Sequence, residues 1–116
     1  MSNKKKNSLK FKRNHPREIN NFYRISDKNN GHPGQVFLCD VDNDVYLVIK
    51  FTQSDNKDRV ALKHNIDPNS DKPQYAHLRP FKLRYDDMEY TSKYLSFRIH
   101  PEDLPIIEEI KKRRPK

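Results

Sequence analysis

The chain has no second cysteine, no long apolar run and no internal repeat. With Cys39 alone, an internal disulfide is excluded, and its place in an apolar stretch is that of a small buried hydrophobe in a reducing compartment. No apolar run approaches the roughly 18 residues of a membrane span, and the Lys-rich start is not followed by a secretory hydrophobic segment. A cytoplasmic protein without membrane contact is therefore expected. Apolar residues are scarce too, at 33% of 116, which fits one domain with a small core and excludes two. His64, His77 and His100 share no tight ligand spacing with Asp40, Asp42 or Asp67, so neither a metal nor a cofactor is expected. The run from Asp40 to Asp44 lacks the glycine and the distant glutamate of a calcium loop and reads as a hairpin turn.

Positive charge is what the chain has in excess, and it lies at the ends. From Met1 to Asn20 seven Lys or Arg stand against Glu18, and Lys111 to Lys116 add five more with no acid. Between them 12 basic residues face 15 acidic ones, so the net charge of +8 comes from the termini of a slightly acidic body. Basic tails on such a body point to electrostatic capture of a polyanion, with recognition left to the folded part; solubility is the plainer alternative. Residues 1–20 carry only Leu9, Phe11 and Ile19 as sizeable apolar side chains, too few to offset the entropy of ordering. This predicts a flexible basic arm at 1–20 and a single domain at 21–116.

Within that domain, strands are expected at Phe22 to Ile25, Gln35 to Val41, Val45 to Thr52, Arg59 to Lys63, Tyr75 to Leu78, Phe81 to Tyr85 and Lys93 to Ile99. The second is almost continuously apolar and should be covered on both faces. Asn43 marks a hairpin turn, Asn65 to Pro73 a surface loop, Pro80 an interruption and Asp86 to Ser92 a polar connector. In Val45 to Thr52 one face carries Val45, Leu47, Ile49 and Phe51. The other carries Tyr46, Val48, Lys50 and Thr52 and turns polar toward a rim. The chain closes with a helix that starts near Glu102 or Asp103, and its apolar stripe is Leu104, Ile106, Ile107 and Ile110.

The result is a mainly β (α+β) chain read as a small SH3-like twisted barrel with a C-terminal helix. The stretch from Phe22 to Arg113 resembles the MazF/PemK (Kid-like) toxin family. In that family an Arg-Pro precedes an apolar strand, as His32-Pro33 does here, the next strand closes as Phe51-Thr52-Gln53-Ser54 does, and a helix opens as Pro101-Glu102-Asp103-Leu104 does. The resemblance implies a metal-independent endoribonuclease for single-stranded RNA in a toxin-antitoxin or mobile-element system, homodimeric and neutralised by an acidic antitoxin segment. It implies catalysis by His32 and Thr52, with His32 standing where the family carries an arginine.

Such cleavage needs a base for the 2'-hydroxyl, an acid for the leaving oxygen and donors for charge developing on phosphate. His32 suits proton transfer, and Thr52 suits orientation of the phosphate. Lys50, Gln53, Ser54, Arg79, Lys82 and Arg84 are the expected RNA contacts. Tyr75, Phe81, Tyr85, Tyr90 and Tyr94 interleave with the cations, one or two as base-stacking surfaces and the rest as packing. The plainer reading has His32 filling a turn and Thr52 capping a strand end. A non-catalytic nucleic-acid-binding barrel of a phage or mobile element, or a protein-interaction module, fits the same residues.

Overall fold

A computed structural model describes residues 18–27, 33–43, 45–84 and 88–116. Most of the expected basic arm, residues 1–17, and the candidate catalytic His32 lie outside the described residues. Among the described residues seven strands form one antiparallel sheet: β1 (Asn21–Asp27), β2 (Pro33–Asp42), β3 (Val45–Thr52), β4 (Arg59–Ala61), β5 (Tyr75–His77), β6 (Phe81–Arg84) and β7 (Met88–Tyr94). A 3-10 turn (Pro101–Asp103) leads directly into the helix α1 (Leu104–Lys111). The strand order is β4-β5-β3-β2-β1-β7, with β6 also on β3. Among the described residues its two ends do not pair, so the sheet is mainly β as expected but is not closed into a barrel.

β3 is the hub. One edge pairs with β2 along its length, from Gln35↔Phe51 to Asp42↔Val45. The other edge is divided: its first half pairs with β6 (Val45↔Arg84 to Val48↔Phe81) and its end with β5 (Phe51↔Ala76, Thr52↔Tyr75). Pro80, buried, sits at the break between β5 and β6, where a missing donor costs no ladder hydrogen bond. Asn43 turns the β2–β3 hairpin at φ 54, a left-handed conformation that asparagine tolerates.

Alternation of side chains feeds two cores, one on each face. Phe22, Phe37, Ile49, Phe51, Ile66, Ala76 and Phe97 pack with Ile107 and Ile110 of α1. Tyr23, Ile25, Val36, Leu38, Tyr46, Val48 and Leu83 fill the opposite face. β2 is thus covered on both sides, as its apolar run implied. Cys39 falls at a register shift between Leu38 and Asp40 and packs against the first core. Burial pushes its thiol up to about 11, which leaves it protonated and unreactive at neutral pH.

Three expectations are corrected. The last strand is Met88–Tyr94 rather than Lys93 to Ile99, so most of the expected polar connector is strand. It is recruited because the edge of β1 needs a partner along Phe22↔Tyr94 to Asp27↔Met88, and backbone pairing outweighs polar composition. Asn65 to Pro73 is not wholly a surface loop, since Ile66 is buried and its N–H donates to the buried Gln74 Oε1 at 2.7 Å. Leu104, placed in the helix stripe, is exposed.

α1 is fastened by a single buried carboxylate. Asp103, with no exposed surface, accepts from the N–H groups of Lys63 (Oδ1, 2.9 Å) and His64 (Oδ2, 2.9 Å) just beyond β4. Pro105 lies in the first turn of α1, where it breaks no helical hydrogen bond. Among the described residues no helix is long and apolar enough to cross a membrane. Removing both acceptors in Asp103→Ala strands two part-buried donors and is expected to cost roughly 1–3 kcal/mol, Asp103→Asn less, as read from urea unfolding midpoints.

Candidate nucleic-acid interface

Strands β3, β5 and β4 build a polar face at one end of the sheet. Residues opposite one another in an antiparallel pair share a face, so Thr52↔Tyr75 and Arg59↔His77 set these four side chains on one side. Lys50, two residues before Thr52, joins them. All five are half-buried, and the face runs on from the buried Tyr46 and Val48 of the same strand.

Phe81, just past the Pro80 break, closes one side of this face. Lys50 Nζ lies 4.2 Å from its ring centroid and Lys116 Nζ 5.6 Å, while the His77 ring meets it edge-on at 5.4 Å and 74°. The basic segment after α1 is laid across the same corner. Arg79 Nε donates to the Arg114 carbonyl (2.8 Å) and Nη2 to that of Pro115 (3.3 Å), and the Lys116 N–H donates to the Pro80 carbonyl (2.8 Å). Arg113 and Lys116 thereby line, with Asp58, His77, Arg79 and Phe81, a cavity of about 160 Å³.

The field in this corner is positive. His77 is pushed down from 6.5 to about 4, first by burial, then by Arg59, Lys50 and Lys116, with Asp58 opposing. At neutral pH it is an uncharged imidazole among cations, able to accept a hydrogen bond and only weakly basic. Arg59 is anchored through Nη1 to the Ser54 carbonyl (2.8 Å), and its buried Nε has no hydrogen-bond partner among the described residues. Lysine and arginine side chains here suit phosphate oxygens, and Tyr75 and Phe81 add flat apolar surface beside them.

The sequence-predicted residues divide into groups. Lys50 and Arg79 meet around Phe81, although Arg79 is committed to positioning the segment after α1. Thr52 lies on the polar face, where its Oγ1 accepts from the Ser54 N–H at 3.2 Å and so caps the strand end. Gln53 and Ser54 are exposed in the turn that follows. Lys82 and Arg84 project from the other side of β6 relative to Phe81 and Leu83, and Lys82 faces Asp40 and Asp42 across a separate cleft. Tyr94 stacks on Phe97, ring centroids 4.2 Å apart, and belongs to packing. Tyr85 and the side chain of Tyr90 lie outside the described residues.

His77, Arg59, Arg113 and Lys116 form a group that no sequence motif announces. The only local signal is the Y-A-H alternation of β5, which sets Tyr75 and His77 on one face; the partners arrive from β4 and from the segment after α1. A larger cavity of about 490 Å³ lies on the opposite face beside α1, floored by Phe22, Phe37, Phe97 and Ile107 and rimmed by Lys93, Arg98 and Lys111. Its floor is apolar core, and its rim cations are engaged: Lys93 with Glu18, Lys111 with Glu108, and Arg98 with the Leu95 and Phe97 carbonyls.

In comparisons with known proteins, no family model, no curated protein and no solved structure matches this chain.

The lowered His77 pKa carries a pH dependence of definite sign. Folded, His77 takes its proton only near pH 4, whereas the unfolded chain takes it near 6.5, so the unfolded state holds more protons in between. Stability therefore falls as pH drops through that window. His77→Gln is expected to shrink the loss of urea midpoint between neutral pH and about pH 4, relative to the unaltered protein.

Proposed function

We propose that this protein binds single-stranded RNA on an SH3-type scaffold, through the polar face of β3, β5 and β4 and the cationic corner at Phe81. The observation that carries this reading is the gathering of Lys50, Arg59, Arg79, Arg113 and Lys116 around one corner, whose cavity is lined by a single acid, Asp58, beside the rings of Tyr75, His77 and Phe81. Phosphates engage the cations, and a splayed base lies against an aromatic ring, a geometry open to single strands and closed to a stacked duplex. The seven basic residues of 1–20 add charge that captures RNA without reading it.

A second reading is favoured by one specific feature. Thr52 and the neutral His77 share a face with Lys50 and Arg59, which together offer a base and phosphate donors, two of the three parts that metal-independent RNA cleavage requires. In that reading His77 takes the proton of the 2'-hydroxyl in the part expected of His32; Thr52, Lys50 and Arg59 hold the phosphate, and solvent water protonates the leaving 5'-oxygen. The chain is then a MazF/PemK-like endoribonuclease of a toxin-antitoxin or mobile-element system, working as a homodimer. An acidic antitoxin segment would lay its apolar side chains in the cleft beside α1, its carboxylates displacing Glu18 from Lys93 and Glu108 from Lys111.

Fluorescence anisotropy with a labelled single-stranded oligoribonucleotide across a salt series tests the binding. Lys50→Ala and Arg113→Ala together are expected to lower affinity by roughly tenfold or more and to flatten the log–log salt slope by about 0.7 for each phosphate no longer neutralised. Unchanged affinity and slope in the double variant would sink the proposal. Incubation with the same RNA in EDTA decides between the readings: cleavage abolished in both His77→Gln and Thr52→Ala establishes the enzyme, and an intact strand with the unaltered protein removes it.

A further inference from the structure

The residue that fastens α1 also brings two histidines and a glutamate together at a site sharing no residue with the cationic corner. Asp103 holds the His64 N–H through Oδ2 at 2.9 Å, and its own N–H donates to the His100 carbonyl at 2.8 Å. Both imidazoles therefore spring from backbone tied to one buried residue, although they lie 36 positions apart in the chain. Their rings stack, centroids 3.6 Å apart at 19°, and Glu102 Oε1 lies 3.3 Å from His64 Nε2. One donor atom from each of His64, His100 and Glu102 falls within 4.8 Å of the other two.

We propose that His64, His100 and Glu102 form a binding site for a borderline divalent transition-metal ion of the Zn²⁺ or Co²⁺ class. Two imidazole nitrogens and one carboxylate oxygen select such an ion over Mg²⁺ or Ca²⁺, which need more oxygen ligands than one glutamate offers. Tetrahedral bonds of about 2.0–2.1 Å set the donors roughly 3.4 Å apart, so the donors close by about 1 Å as the rings reorient, with water as the remaining ligand. A ligated ion lies in the plane of each imidazole, and two nearly parallel rings cannot both meet that condition. Loading therefore fans the rings out of their stack, which their position at the surface permits: the His64 side chain is 41% exposed, and His100 is exposed as well. His100 Nδ1 now accepts the Glu102 N–H at 3.1 Å, and loading displaces that cap whether the ion takes Nδ1 itself or takes Nε2, since the tautomer that frees Nε2 puts the proton on Nδ1. The ion would pin the loop after β4 to the start of α1, reinforcing the Asp103 link from outside.

Isothermal titration of the full chain with ZnCl₂ is expected to show one ion per chain. Affinity should fall on the order of tenfold or more in His64→Ala and in Glu102→Gln, and stay unchanged in His77→Gln. His100→Asn keeps an acceptor for the Glu102 N–H, and so keeps the cap, while weakening the ligand. In the unaltered protein, Co²⁺ should broaden or shift the ring protons of His64 and His100 and spare those of His77, a readout independent of any variant. The proposal is overturned if no binding is seen, if His64→Ala binds as tightly as the unaltered chain, or if Co²⁺ perturbs other histidines first. Each of those outcomes would leave a surface His–Glu pair only.

Discussion

A carboxylate taken fully out of water must be met by donors of good geometry, and Asp103 is met by two main-chain N–H groups from beyond β4 rather than by a cation. That contact sets where α1 begins, and with it much of the molecule. Ile107 and Ile110 can then close the core around Phe22, Phe37 and Phe51, and the segment after the helix is aimed back toward the β5–β6 break. The His64–His100 stack is held by the same anchor. A backbone-bonded acid does this without needing a side-chain partner that could rotate away.

The sheet solves a second problem, a small apolar inventory. β2 and β3 bury both faces, so their side chains serve two cores at once, and the divided outer edge of β3 lets two short strands share one partner. Polar residues stand in where apolar ones run short. Gln74 is buried yet bonded to the Ile66 and Asp67 N–H groups, holding the long loop close enough for Ile66 to enter the core.

Charge is arranged on this frame with a consequence for chemistry. The basic segment at 111–116 is no free tail where it meets the body: Arg79 and the Pro80 carbonyl hold it against the sheet, which concentrates cations around His77 instead of spreading them. The imidazole stays neutral because burial and like charge act in the same direction. An anion entering that corner would relieve the repulsion that the protein itself maintains. Site and fold are thus coupled, since Arg113 and Lys116 reach the corner by way of α1.

Much of the β architecture is legible in the residues alone. The apolar alternation of β3, the double-sided run of β2, the turn at Asn43, the break at Pro80 and the terminal helix all follow from side-chain period and from local backbone limits, which act within a few residues. The shared face of Lys50 and Thr52 rests on the same period of two. What required tertiary structure was everything that depends on register and long-range pairing. No local pattern says that Met88–Tyr94 would be drafted to complete the edge of β1, or that the sheet stays open. Nor does spacing reveal that His64 and His100 stack, or that His77 meets Arg59, Lys50 and Lys116, because these residues sit on segments far apart in the chain that meet only through strand pairing and tertiary contacts. The sequence by itself determined the first six strands, the turn and the placement of charge at the ends. Only the folded arrangement decided which charges meet and around what, since that is set by the contacts of Asp103, Gln74 and Pro80 and not by any periodicity.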